Sequence, residues 1–215
     1  MQYSKNMNKK SIETWVFDLD NTLYPPSIRL FDQIEHKMET YMTREIGLSW
    51  EDAKVLRGDF WRNHGTTLEG LIQVYGIEPD PFLEEVHDLD HSALEVNGAL
   101  RQAILSLPGR CVIYTNGSRK HGKQVSDALG LEGCFEAIYG IEDAGYKPKP
   151  KAIAFERVFE SAKIDPQKAI MFEDDPRNLE IPAQMGMKTV LVGGDKPGDH
   201  IHHHTLDLTD FLERF

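Results

Sequence analysis

The sequence predicts an α/β fold: a parallel sheet flanked by helices, interrupted by a helical insertion after its first strand. Three observations lead there. After about residue 95, short apolar runs alternate with helix-patterned stretches, which implies right-handed crossovers and parallel pairing. Three of the apolar runs stop abruptly at polar groups: Trp15-Val16-Phe17 at Asp18 and Asp20, Cys111-Val112-Ile113-Tyr114 at Thr115-Asn116, and Ile170-Met171-Phe172 at Glu173-Asp174-Asp175. Open parallel sheets assemble their sites at such strand ends. Finally, no second good strand occurs between residues 27 and 90.

Taken in order, residues 13–18 read as the first strand. Phe31, Ile34, Met38 and Tyr41/Met42 then fall at helical spacing, and 51–63 and 67–75 also read as helices. Residues 99–107 read as helix, 110–115 as strand, and 118–129 as helix with Ser118 as its cap. A short strand near 137–139, a helix at 151–162, a strand at 169–172, a helix opening at Pro176 and a last strand at 188–192 complete the pattern. Asp165-Pro166 and Asp175-Pro176 each read as an N-cap followed by proline at the first helical position. The predicted organisation is a core of residues 11–26 and 92–215 with a helical cap subdomain at 27–91. There are no repeats and no low-complexity tract.

Composition narrows the functional classes. A chain of 215 residues can bury a proper core. Its net charge of −11 argues against a general binder of nucleic-acid polymers or membrane surfaces, which shows a basic stripe. Acidity leaves a phosphate substrate open, because a bound cation reverses the local sign. Two cysteines, Cys111 and Cys134, make no disulfide framework, and Cys111 reads as a small buried hydrophobe. No apolar stretch reaches the roughly 18–20 residues that span a bilayer, and residues 1–10 lack the apolar centre of a secretory signal. The expected location is the cytoplasm.

Asp18 and Asp20 are two carboxylates one residue apart at the end of an apolar run. Neighbouring carboxylates repel unless a cation or proton lies between them, so the pair reads as the floor of a metal site, or equally as a solvated turn. Downstream come the hydroxyl of Thr115, the lysines of Lys147-Pro148-Lys149-Pro150 and the acids Glu173-Asp174-Asp175. Acid pair, hydroxyl, lysine and acid cluster, in this order and spacing, resemble the haloacid dehalogenase-like phosphohydrolases from about residue 15 to 192.

That resemblance implies a Rossmann-like core and a helical cap of the kind inserted directly after the first motif, which closes over the site and selects substrate. His64-Gly65-Thr66-Thr67-Leu68-Glu69-Gly70-Leu71 and Val86-His87-Asp88-Leu89-Asp90-His91 resemble segments of the pyrimidine 5′-nucleotidase-like branch. Gly65, Thr66 and Thr67 are then substrate-contact candidates, although the same triplet reads as a turn with Thr66 capping a helix. His87 and Asp88 read also as solvated hinge residues, and His202-His203-His204 as surface histidines.

Further roles follow from the resemblance. Asp18 is the nucleophile, Asp20 the acid and base, Thr115 and the Asn116 amide phosphoryl donors, and Lys147, the first lysine of the motif, the neutralising cation. Mg²⁺ falls to Asp18, the Asp20 backbone carbonyl and Asp174. Asp175 reads as a helix cap and Glu173 as a supporting acid. Asn178 departs from the family pattern, which often has an acid there. The expected function is a Mg²⁺-dependent phosphatase of small phosphate monoesters, foremost pyrimidine 5′-nucleotides, working through an aspartyl-phosphate. The alternatives are a sugar-phosphate or phosphoglycolate phosphatase, a phosphomutase, a haloacid dehalogenase and a ligand-binding protein without turnover. Oligomeric state is not legible.

Overall fold

The computed structural model describes residues 9–195 and 198–214; residues 1–8, most of the stretch that reads as lacking a secretory signal, lie outside them. β1 (Thr14–Phe17), β2 (Arg110–Tyr114), β3 (Ala137–Tyr139), β4 (Ala169–Glu173), β5 (Lys188–Val192) and β6 (His203–Thr205) form one sheet in the order β3-β2-β1-β4-β5-β6. Every pairing is parallel. The α/β expectation holds.

β1 lies in the middle, between β2 and β4. Its side chains alternate faces as a strand requires. Trp15 and Phe17 enter one core with Ile113, Phe172 and Val190, while Val16 enters the other with Val112, Met171 and Leu191. A sheet buried on both faces reads as continuous apolar runs, which is what the sequence carries. Phe17 and Phe172 stack across the strands at 4.7 Å, within the range where aromatic pairs add about 0.5–1.5 kcal/mol beyond area burial.

Helices cover both faces. α5 (Gly98–Leu105), α6 (Arg119–Ala128) and α9 (Leu208–Arg214) contribute to the Trp15 side, and α7 (Ala152–Ala162) to the Val16 side. α8 (Glu180–Gln184) follows a 3-10 turn at Pro176–Leu179. Ser118 caps α6 by accepting from the His121 amide, and Asp165 and Asp175 cap 3-10 turns ahead of proline.

Between β1 and α5 lie α1 (Leu30–Ile46), α2 (Trp50–His64), α3 (Thr67–Tyr75) and α4 (Pro79–Val86). They share a third apolar cluster, with Met42, Phe60, Leu71, Phe82 and Val86 at its centre and Ile141 added from the sheet side. α4 and β6 are elements that the sequence pattern did not mark. β6 is a short polar edge strand whose central His204 is exposed. Among the described residues no helix is long and apolar enough to cross a membrane.

Candidate active site

The strand ends converge on a cavity of about 660 Å³ between the sheet and the four inserted helices. Asp18 stands one residue beyond β1, its amide still bonded to the Phe172 carbonyl at 2.9 Å. Leu19 keeps the strand alternation by entering the core, but the chain then turns, with Asn21 at φ 62°. Asp20 therefore reaches the cavity from a turn and not from a continued strand.

Each oxygen of Asp18 has a donor. Lys149 Nζ donates to Oδ1 at 2.8 Å, and the Thr22 hydroxyl to Oδ2 at 2.9 Å. The same ammonium donates to Glu173 Oε1 at 2.6 Å and to the Tyr114 carbonyl at 3.0 Å. All three of its protons are engaged, and the side chain is wholly buried. Burial works against its charge, yet Asp18 and Glu173 outweigh that and raise its pKa.

This corrects the choice of lysine. Lys147 is 38% exposed and pairs with Glu69 Oε1 at 3.0 Å, on the inserted helices. Lys149 is the lysine that faces Asp18. Asn116 fixes it there, accepting from the Lys149 amide at 2.9 Å and donating to the Lys149 carbonyl at 3.1 Å. Thr115 is buried in the cavity wall, its Oγ1 accepting from the Gly117 amide at 2.9 Å.

Glu173 is committed to the protein. It accepts from Lys149 and from Asn178 Nδ2 at 2.7 Å on one oxygen, and from the Asp175 amide at 2.9 Å on the other. Asp175 caps the turn that follows and holds Arg177. Asp174 has no lysine or arginine partner among the described residues. Carboxylate oxygens of Asp18, Glu173 and Asp174 lie within 4.8 Å of one another. Burial, with Glu173 next, pushes Asp18 up to about 7. Burial, then Glu173 and Asp18, pushes Asp174 up to about 9.

Three acids against one ammonium leave negative charge in excess. Asn178 Oδ1 is also buried there, without a hydrogen-bond partner among the described residues. A hard, oxygen-seeking cation fits this set of carboxylate donors.

Asp20 accepts from the Tyr24 hydroxyl at 2.6 Å and from His121 Nε2 at 2.9 and 3.1 Å. Burial opposes its ionisation, but His121 and Tyr24 hold its carboxyl below the usual range. His121 and Tyr24 were not singled out in the sequence. Tyr24 lies at i+4 from Asp20, a spacing that could have flagged it, whereas His121 is 101 residues away.

Gly65, Thr66 and Thr67 line the cavity. Gly65 has φ 95°, and a Cβ there would meet Pro148 Cγ at 3.1 Å, so its lack of a side chain lets α2 end against the Lys149 loop. Thr66 caps α3, accepting from the Glu69 amide. Thr67 directs its hydroxyl to the Arg57 carbonyl at 3.3 Å, inside the insertion. His87 is buried, not a solvated hinge residue.

A cleft of acids at the carboxyl ends of a parallel sheet, roofed by helices inserted after the first strand, defines a class of hydrolase. The model of the haloacid dehalogenase-like hydrolases matches residues 12–186, and the chain belongs to that family. It is 23% identical over 202 residues to phosphate metabolism protein 8 of Saccharomyces cerevisiae, covering 83% of this chain; the chain spans about 61% of that relative's length. A haloacid dehalogenase-type phosphatase from Thermococcus onnurineus superposes with a TM-score of 0.63 at 15% identity, over 94% of this chain and 97% of that one. A 2-haloacid dehalogenase from Pseudomonas syringae pv. Tomato does so with a TM-score of 0.57 at 18% identity, over 94% and 97%. Phosphatase and dehalogenase share the fold, so the side chains have to decide between them.

Proposed function

We propose that the protein is a Mg²⁺-dependent phosphatase of small phosphate monoesters, foremost pyrimidine nucleoside 5′-monophosphates, in the cytoplasm. The observation that carries this reading is Asp20: a second carboxylate, held in the same cavity as Asp18, with Asp174 beside them and without a lysine or arginine partner among the described residues. The family resemblance gives a dehalogenase the nucleophile but neither a second aspartate nor a metal. The relative's name, phosphate metabolism protein 8, agrees with phosphate chemistry. The acidic chain fits a small phosphorylated partner and not a nucleic-acid polymer.

Asp18, the Asp20 backbone carbonyl and Asp174 would hold Mg²⁺, which supplies positive charge for the phosphoryl oxygens. Asp18 attacks phosphorus in line, and the bond from phosphorus to the leaving oxygen breaks. That oxygen takes a proton from Asp20, whose proton affinity the dianionic substrate raises. Water then attacks phosphorus, Asp20 removes its proton, and the bond to Asp18 breaks to release phosphate. Thr115, with the Asn116 amide, donates to the transferring group, and Lys149 balances the charge between it and Asp18.

The leaving group would lie under the insertion, where Phe31, Ile34, Met38, Trp61 and Phe82 make an apolar wall. That wall suits a nucleobase, and the Gly65-Thr66-Thr67 signature is the reason to favour pyrimidines. The test is phosphate release from nucleoside monophosphates, sugar phosphates, phosphoglycolate and 2-haloacids, with Mg²⁺ and in chelator. Metal-dependent release from pyrimidine nucleotides is expected, with Asp18→Asn lowering turnover by several orders of magnitude while leaving the fold intact. Halide release without metal would overturn the reading.

A further inference from the structure

Asp20 has to face two ways in one cycle, towards the leaving oxygen and then towards water. Two donors fix its carboxylate, the Tyr24 hydroxyl on Oδ1 at 2.6 Å and the His121 ring. His121 Nε2 sits between its two oxygens, so that nitrogen carries the proton and donates. The His121 ring is fully buried on the first turn of α6 and lies flat against the His87 ring, with centroids 4.4 Å apart and 13° between planes. Ser118 ties the two together, accepting from the His121 amide and bonding His87 Nδ1, each at 3.1 Å. Gly117 makes room for the stack: a Cβ there would lie 2.9 Å from His121 Cδ2 and 3.5 Å from His87 Nε2. His87 ends α4, where the inserted helices hand the chain back to the sheet.

We propose that His121 is a positioning residue that holds Asp20 as the base for hydrolysis of the aspartyl-phosphate, and that His87 braces it from the insertion's return. The inference rests on the phosphatase reading. In the step concerned, water's oxygen bonds to phosphorus, its proton passes to Asp20, and the bond to Asp18 Oδ breaks. A misplaced Asp20 slows this step. It spares the preceding one when the ester is p-nitrophenyl phosphate, whose leaving group needs no proton.

The experiment is pre-steady-state and steady-state kinetics of His121→Phe with p-nitrophenyl phosphate and Mg²⁺. Phenylalanine keeps the stacked ring and removes the donor. General-base positioning predicts that kcat falls about 10- to 100-fold while kcat/KM stays within about threefold, so that KM falls with kcat. A burst of nitrophenolate stoichiometric with enzyme should appear, and His121→Gln, which restores an N–H at that reach, should recover kcat. Equal losses in kcat and kcat/KM without a burst, or no recovery in H121Q, would overturn the proposal. If H121F does not fold, His87→Leu removes the brace and leaves the hydrogen bond; the same split at smaller size supports the proposal, and unchanged or parallel constants refute it. If the wild-type protein turns over no phosphate ester, the phosphatase reading fails before His121 is tested.

Discussion

At the scale of single residues, Lys149 decides how the acids coexist. Its ammonium touches Asp18, Glu173 and the Tyr114 carbonyl, and nothing else cationic is paired with those two carboxylates among the described residues. Lys149→Met should lower phosphatase turnover by on the order of 10²–10³, the loss expected when one charge-stabilising donor leaves a dry site. It should also destabilise the fold by about 3–5 kcal/mol, because two buried carboxylates lose their partner. Lys147→Met removes a half-exposed pair while Lys151 still holds Glu69, so stability should change by less than about 1 kcal/mol. Parallel kinetics and denaturant melts of the two variants check this; a K147M enzyme as impaired as K149M would restore the sequence-based choice. The acids and Thr115 were legible because each ends an apolar run, a signal local to its own segment. The lysine was not. Lys147 and Lys149 are each followed by a proline, and what separates them is Asn116, 33 residues from Lys149, gripping the Lys149 peptide on both sides. His121 was hidden for the same reason, since its partner Asp20 belongs to a different strand end.

At the scale of elements, the features read correctly are those governed by neighbouring residues. Ser118, Asp165, Asp175 and Thr66 all cap the turns that follow them, through side chains accepting an amide two or three residues on. The five strands with apolar cores were found; β6, His-His-Thr, was not, because an edge strand with one neighbour needs no apolar run. α4 opens on two prolines and is only eight residues long, too short to show a clear period. Thr66 joins this scale to substrate choice. Its oxygen caps α3, and it also lines the cavity that Asp18 enters. Thr66→Val removes the cap at nearly constant volume and should cost about 1 kcal/mol of stability. If the hydroxyl also meets the leaving group, kcat/KM for a pyrimidine nucleotide should fall about 2- to 12-fold, the range for one neutral hydrogen bond. p-Nitrophenyl phosphate should be almost unaffected. Equal losses on both esters would reduce Thr66 to its capping role.

Over the whole molecule, the site's charge sets how stability depends on pH and metal. Without a cation, the folded protein keeps protons on Asp18 and Asp174 at pH values where the unfolded chain, with aspartates near 3.8, has released them. The unfolded state therefore binds fewer protons across that window, and stability falls as pH rises through it. Buried His87 works the other way but only in acid: its pKa is pushed down to about 3 from an ordinary 6.5, so its unfavourable effect is fully present below about pH 3 and is gone once pH exceeds about 6.5. Lys149, raised above 10.5, stays charged in both states below that value and adds no slope. Between about pH 7 and pH 9 the falling trend comes first from the aspartates, Asp174 foremost with its value of about 9, and towards pH 9 also from Cys111 and Cys134, whose thiols burial pushes above the ordinary 9. A divalent cation relieves the repulsion that keeps those protons on, and its binding adds stability by mass action. Thermal melts in chelator should show Tm falling from pH 7 to pH 9. With saturating Mg²⁺ the same melts should be flatter and higher, the gap widening with pH, and Asp174→Asn should remove most of the slope and most of the Mg²⁺ gain. Identical pH profiles with and without Mg²⁺ would mean that the acid cluster is neutralised by the protein alone, and that Asp174 is not where a cation binds.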